Sequence, residues 1–266
     1  MTPFDPKYPE LRRRRFRPIP VRMLVPNFIT LLAICAGLTA IRLSTEGRME
    51  LAVYAIVFAA VLDGLDGRVA RLTKTQSAFG AEYDSLSDMV SFGVAPAIVT
   101  YQWGVARIAE YGPLWRRLGW LVCFFYAAAA ALRLARFNSR SATQDKHYFE
   151  GLPSPSAAAI VAALVWLASD KTDIGLPGLI LAFLVTASAG ALMISRFAFN
   201  SFKQVNASAR VRFTYIILVP LAFIFIFLHL PISLLVIFGL YGLSAPSLWV
   251  YRKLRRRNRP VVQTHE

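Results

Sequence analysis

The sequence predicts an all-α membrane protein, a polytopic bundle of about eight transmembrane helices. Three observations predict it. The 266 residues are 56% hydrophobic, with a mean hydropathy of +0.48, too apolar for an ordinary soluble domain. Several apolar runs approach the roughly 20 residues that an α-helix needs to cross a bilayer. The charge clusters between those runs, and 30 Lys and Arg oppose 15 Asp and Glu, a net +15. In a soluble protein that surplus would suggest nucleic acid. Between apolar runs it points instead to membrane lipids with anionic surfaces and to a phosphate-bearing substrate, with no nucleic-acid partner.

Residues 1–22 form a basic N-terminal segment carrying Arg12, Arg13, Arg14, Arg15, Arg17 and Arg22. Pro18 and Pro20 forbid one long helix there, so the segment is a short interfacial helix or a basic tail. The expected spans follow at 23–43, 50–70, 84–101, 118–137, 154–169, 176–195, 213–229 and 232–251, with a basic tail at 252–266. The third and fifth are short for a bilayer. Cys35 and Cys123 both fall in apolar runs and read as small core residues. The small residues Ala187, Gly190 and Ala191 of the sixth span suit either a homodimer or packing against a neighbouring helix.

The positive charge orients these spans. With the N-terminus in the cytosol, 24 of the 30 Lys and Arg fall on the cytosolic side, leaving Arg42, Arg48, Arg107, Arg116, Arg117 and Lys171 opposite. That is the expected asymmetry, and an even number of spans then puts both termini in the cytosol.

The chemistry concentrates between Asp63 and Asp88. Asp63, Asp66, Gly67 and Ala70 recur at helical spacing and share a face, and Asp84 and Asp88 share a face of the next helix. Two helices can therefore aim two carboxylates each at one small volume. Carboxylates that close repel unless protonated or bound to cations, and an all-oxygen set suits Mg²⁺ or Mn²⁺. Gly64, Gly67, Ala70 and Gly80 thin the helix surfaces, and Arg71 offers a fixed cation for phosphate oxygens. Together these groups describe phosphoryl-group transfer. The rival from another class is a cation channel or transporter using the aspartates as ion ligands; neither the glycines nor the arginine fits it, and no internal repeat supports it.

The stretch Asp63-x-x-Asp66-Gly67-x-x-Ala70-Arg71, eight residues, Gly80-x-x-x-Asp84-x-x-x-Asp88 resembles the signature of the CDP-alcohol phosphotransferases at all its fixed positions. The resemblance implies a six-helix membrane core, here 23–195, with 196–251 as two additional spans and the site open to the cytosol. It implies two divalent cations held by Asp63, Asp66 and Asp84, and Asp88 as the base that takes the acceptor's proton. It places the nucleotide of CDP-diacylglycerol near Asn27, Gly67, Ala70, Arg71 and Gly80.

Two further stretches bear on the acceptor. Arg133-Leu-Ala-Arg136-Phe-Asn138 ends the fourth span, and Phe149-Glu150-Gly151-Leu152-Pro153-Ser154-Pro155 leads into the fifth. Both resemble the integral-membrane bacterial phosphatidylserine synthases of that family, which implies L-serine as acceptor and the inner membrane as location. Arg133 and Arg136 are three apart and share a helix face, either as charge anchors or as a grip on a carboxylate, with Asn138 and Ser154 adding hydrogen bonds and Glu150 facing an ammonium. Glycerol 3-phosphate, an inositol derivative and choline are the alternative acceptors. Ala33 stands where relatives making phosphatidylglycerol phosphate often carry Arg, which counts against the first.

Overall fold

A computed structural model describes residues 21–140, 148–169, 174–200 and 229–257. Almost all of them are helical. The helices are α1 (Val21–Thr45), α2 (Met49–Leu72), α3 (Ala78–Asp88), α4 (Ala95–Ile108), α5 (Pro113–Arg140), α6 (Ser154–Ser169), α7 (Leu176–Ile194) and α8 (Leu230–Arg257). A π-helical turn, Met89–Val94, joins α3 to α4. The basic N-terminal segment before residue 21, nearly all of the expected span at 213–229 and the end of the tail lie outside the described residues.

Among the described residues four helices are long and apolar enough to cross a membrane: Leu24–Thr45, Pro113–Ser139, Leu176–Ile194 and Leu230–Trp249. With the large side chains these helices leave exposed, such as Phe28, Phe124, Leu184 and Leu240, they describe an integral membrane protein. Ser154–Ser169 is apolar but short. In α2 acidic and basic residues dilute the apolar run.

The structure corrects three expectations. The third span is no single helix: residues 78–108 run as α3, the π-turn and α4, so Asp84 and Asp88 sit on a helix of their own ahead of the widened turn. The chain is also not purely α. Tyr148–Glu150 pairs antiparallel with Ala198–Asn200, Phe149 opposite Phe199. Gly151 and Pro153 follow the first strand and break its helical course, and pairing satisfies the N–H and C=O groups of the extended backbone. Cys35 lies exposed on α1, whereas Cys123 is buried.

Packing locks the site-bearing helices in register. α1 packs chiefly on α2, and both lean on the α3–α4 run. At Gly37 a Cβ would lie 2.9 Å from Ser91 Oγ and 3.0 Å from its Cα, so only glycine admits the π-turn this close to α1. Ser91 Oγ then donates to the Ala33 carbonyl at 3.1 Å. The π-turn frees carbonyls from the usual helical pairing. The fully buried Tyr126 of α5 donates its hydroxyl to one of them, Phe92 O, at 3.0 Å. Gly190 of α7 is buried against Phe125 and Tyr126, so this small residue serves a neighbouring helix.

Candidate active site

The site forms where the end of α2 meets α3 and the start of α1. Asp63 and Asp66 are three apart on α2, so one face carries both. Ser77 caps α3 by accepting from Gly80 N–H at 3.0 Å, which fixes where that helix begins and hence where Asp84 points. The result is a cluster in which Asp63, Asp66 and Asp84 each offer an oxygen within 4.8 Å of the others.

Asp66 is buried and held. Thr30 of α1 donates to its Oδ2 at 2.6 Å, a charge-assisted bond that aims the carboxylate at the cluster. Ser87 Oγ contacts the Thr30 carbonyl at 3.4 Å and ties α3 to the same point of α1. Three convergent carboxylate oxygens fit a hard divalent cation in kind and in spacing. Such a cation offsets their mutual repulsion, which no salt bridge does among the described residues.

Asp88 lies one turn further along α3 than Asp84. Its carboxyl sits against those of Asp63 and Asp84, and Arg133 of α5 is the counter-charge acting on it. One of its oxygens, Oδ1, is buried without a hydrogen-bond partner among the described residues. A buried carboxylate oxygen left without a donor is rare in a fold and calls for an explanation, of which a ligand's proton is one.

Beside the trio opens a cavity of about 300 Å³. Asn27, Thr30, Asp66, Gly67, Ala70, Arg71, Gly80 and Asp84 line it, together with Thr75, Gln76 and Ser77 of the α2–α3 loop. Every residue assigned from the sequence to the nucleotide is among them. A Cβ at Gly67 would meet nothing within 4 Å, so no protein neighbour demands glycine there. Gly80 differs, since its Cβ would crowd Ser77 Oγ at 3.1 Å.

The two arginines of α5 part company. Arg133 Nη1 donates to Ser154 Oγ at 2.6 Å and faces Asp88. Arg136 Nη1 donates to the Ile194 carbonyl at 2.8 Å, closing the C-terminal end of α7. Asn138 is elsewhere again, with Nδ2 donating to Ser85 Oγ at 3.0 Å and to Glu82 Oε2 at 3.4 Å. Ser154 is placed by the strand before it. Gly151 adopts φ +80°, where a Cβ would overlap the Met193 carbonyl oxygen, and its N–H donates to Phe197 O at 3.0 Å. That turn delivers Ser154 to the start of α6 opposite Arg133.

Sequence reasoning missed two things. Thr30 stands three residues from Asn27, which puts both on one helix face, and its polarity within an apolar run was the available sign. Thr75, Gln76 and Ser77 fall in the unspecified gap of the motif; their polarity was the available sign.

A model of the CDP-alcohol phosphatidyltransferase family matches residues 23–195. A protein of Helicobacter pylori J99 named CDP-diacylglycerol–serine O-phosphatidyltransferase is 36% identical over 239 residues, covering 88% of this chain and 94% of that one. One of Methanocaldococcus jannaschii with the same name is 32% identical over 220 residues, covering 82% and 92%. A third, from Mycobacterium tuberculosis H37Rv, is 43% identical over 149 residues, covering 54% of this chain and 49% of its own. The family match spans the trio, the cavity and both arginines, and the chain therefore belongs to the CDP-alcohol phosphatidyltransferase family.

Proposed function

We propose that this protein transfers the phosphatidyl group of CDP-diacylglycerol to the hydroxyl of L-serine, giving phosphatidylserine and CMP. The observation that carries the reading is the carboxylate trio of Asp63, Asp66 and Asp84 opening onto a cavity lined by Asn27, Gly67, Ala70, Arg71 and Gly80. Relatives named for this reaction support the choice of serine over other acceptors, two of them over more than nine-tenths of their own length.

Asp63, Asp66 and Asp84 would hold two divalent cations, Mg²⁺ or Mn²⁺, which when bound neutralise charge developing on the phosphate. Arg71 grips the diphosphate of the donor, and the cytosine and ribose lie along Asn27, Gly67, Ala70 and Gly80. Asp88 takes the proton of the serine hydroxyl with its unpartnered oxygen. The serine oxygen then forms its bond to the phosphorus that carries diacylglycerol as the bond from that phosphorus to the CMP oxygen breaks. Arg133, facing Asp88 and bonded to Ser154, is the group best placed for the serine carboxylate. Arg136 and Asn138, which the sequence also suggested, have structural partners and support this site from outside.

The same reading has a six-helix core over 23–195, two further spans over 196–251, and a position in the inner membrane. Both termini and the site then face the cytosol, where serine and CMP are soluble. A homodimer would use the exposed Ala191 side of α7. An acceptor panel tests the proposal. Purified protein, CDP-diacylglycerol and Mg²⁺ or Mn²⁺ are incubated with serine, glycerol 3-phosphate, inositol or choline, and CMP release is read. Release strongest with serine is expected; release with another acceptor and none with serine refutes it.

A further inference from the structure

The opposite end of the bundle carries a second cavity, larger than the first, at about 570 Å³. The ends of α1, α4 and α6 and the start of α2 enclose it. Asp63 lies fourteen residues along α2 from Met49, about 21 Å at 1.5 Å per residue, so this cavity is remote from the carboxylates.

Its polar groups are arranged for an anion. Arg48 and Arg107 both line it, with Glu50 as the acidic member. Arg107 is held rather than loose: its guanidinium carbon sits 5.7 Å from the centre of the Trp103 ring, and Nη1 reaches the Ala168 carbonyl at 3.4 Å. Trp103 also lines the cavity and is 3% exposed, yet its indole N–H has no acceptor among the described residues. An unpartnered buried donor is costly, so a native fold that retains one asks for an acceptor. Arg48 precedes α2 without a side-chain cap, adding the positive end of that helix. Glu46 approaches Arg48 only to 3.9 Å, at the exposed rim.

We propose that this cavity is a second lipid site, one that holds the phosphodiester of a phospholipid headgroup between Arg48 and Arg107 and does no chemistry. Two guanidinium forks with an indole N–H match phosphate oxygens in charge and in donor geometry. Glu50 meets a headgroup ammonium. Leu51, an exposed apolar side chain at the start of α2, also lines the cavity, and the acyl chains continue along it into the bilayer. A soluble phosphate would leave that apolar margin unused.

The test uses the full chain in detergent micelles, without serine and with CDP-diacylglycerol keeping the donor cavity filled. Phosphatidylethanolamine is titrated, with diacylglycerol and inorganic phosphate as separate arms. Bound lipid is counted by native mass spectrometry and the thermal midpoint is followed. Phosphatidylethanolamine should add one bound lipid and raise the midpoint. The Arg48→Gln/Arg107→Gln double variant should bind it at least tenfold more weakly while CMP release with serine stays within about twofold. Trp103→Phe and Arg107→Lys, which keep the ring or the charge, should each weaken binding several-fold, and they carry the test if the double variant does not fold. Equal binding by wild type and variants overturns the proposal. So does diacylglycerol binding as tightly, or displacement of the lipid by millimolar inorganic phosphate, which would make this a soluble-anion site.

Discussion

Replacing Arg133 by Lys separates serine binding from every other step. Arg133 Nη1 donates to Ser154 Oγ at 2.6 Å, and its charge acts on Asp88. Lysine keeps the charge but loses the planar fork, so it cannot hold Ser154 and grip a carboxylate with two parallel N–H bonds at once. One hydrogen bond to a charged group is worth about 1.5–3 kcal/mol, or roughly 10- to 150-fold in an equilibrium constant. The serine KM should therefore rise at least tenfold, and the KM for CDP-diacylglycerol should change less than about twofold. Arg136→Lys is the control. Its partner is the Ile194 carbonyl, so it should lower thermal stability and leave the serine KM nearly unchanged. The assay is CMP release with each substrate varied against a saturating level of the other. A rise in the KM for the nucleotide lipid, with that for serine unmoved, would assign Arg133 to the donor phosphate and sink the argument.

Three more outcomes are expected. Asp63→Ala, Asp66→Ala or Asp84→Ala should each abolish CMP release while the protein still inserts and folds, and chelator should silence the wild type; substantial activity in any of these conditions refutes the trio as cation ligands. Asp88→Asn should abolish transfer yet leave CDP-diacylglycerol binding largely intact, because the amide keeps the shape and loses the basicity; collapse of binding together with rate would make Asp88 a ligand of the cations instead. Thr30→Val keeps the volume and removes the bond to Asp66 Oδ2, so the Mg²⁺ or Mn²⁺ concentration for half-maximal activity should rise about tenfold, consistent with about 1.4 kcal/mol; an unchanged metal dependence would mean that Asp66 is aimed by its helix alone.

The sequence by itself determined the membrane character and which carboxylates share a helix face. Each is a short-range property. Apolar run length decides what can lie in a bilayer, and fixed spacing on a helix decides which side chains share a face. Asp63 and Asp66, Gly67 and Ala70, and Asp84 and Asp88 are each neighbours on one helix, so one turn of geometry foretold their convergence. What only the tertiary structure decided involves partners far apart in the chain. Arg133 and Arg136 look equivalent by spacing, yet α6 and α7 approach from different sides and claim one each. Thr30 meets Asp66 across 36 residues of chain. The π-turn after Asp88 depends on a glycine of α1 and a tyrosine of α5, and the short sheet joins strands on either side of α6 and α7. Helical periodicity says which face a residue occupies, but only packing says what that face meets.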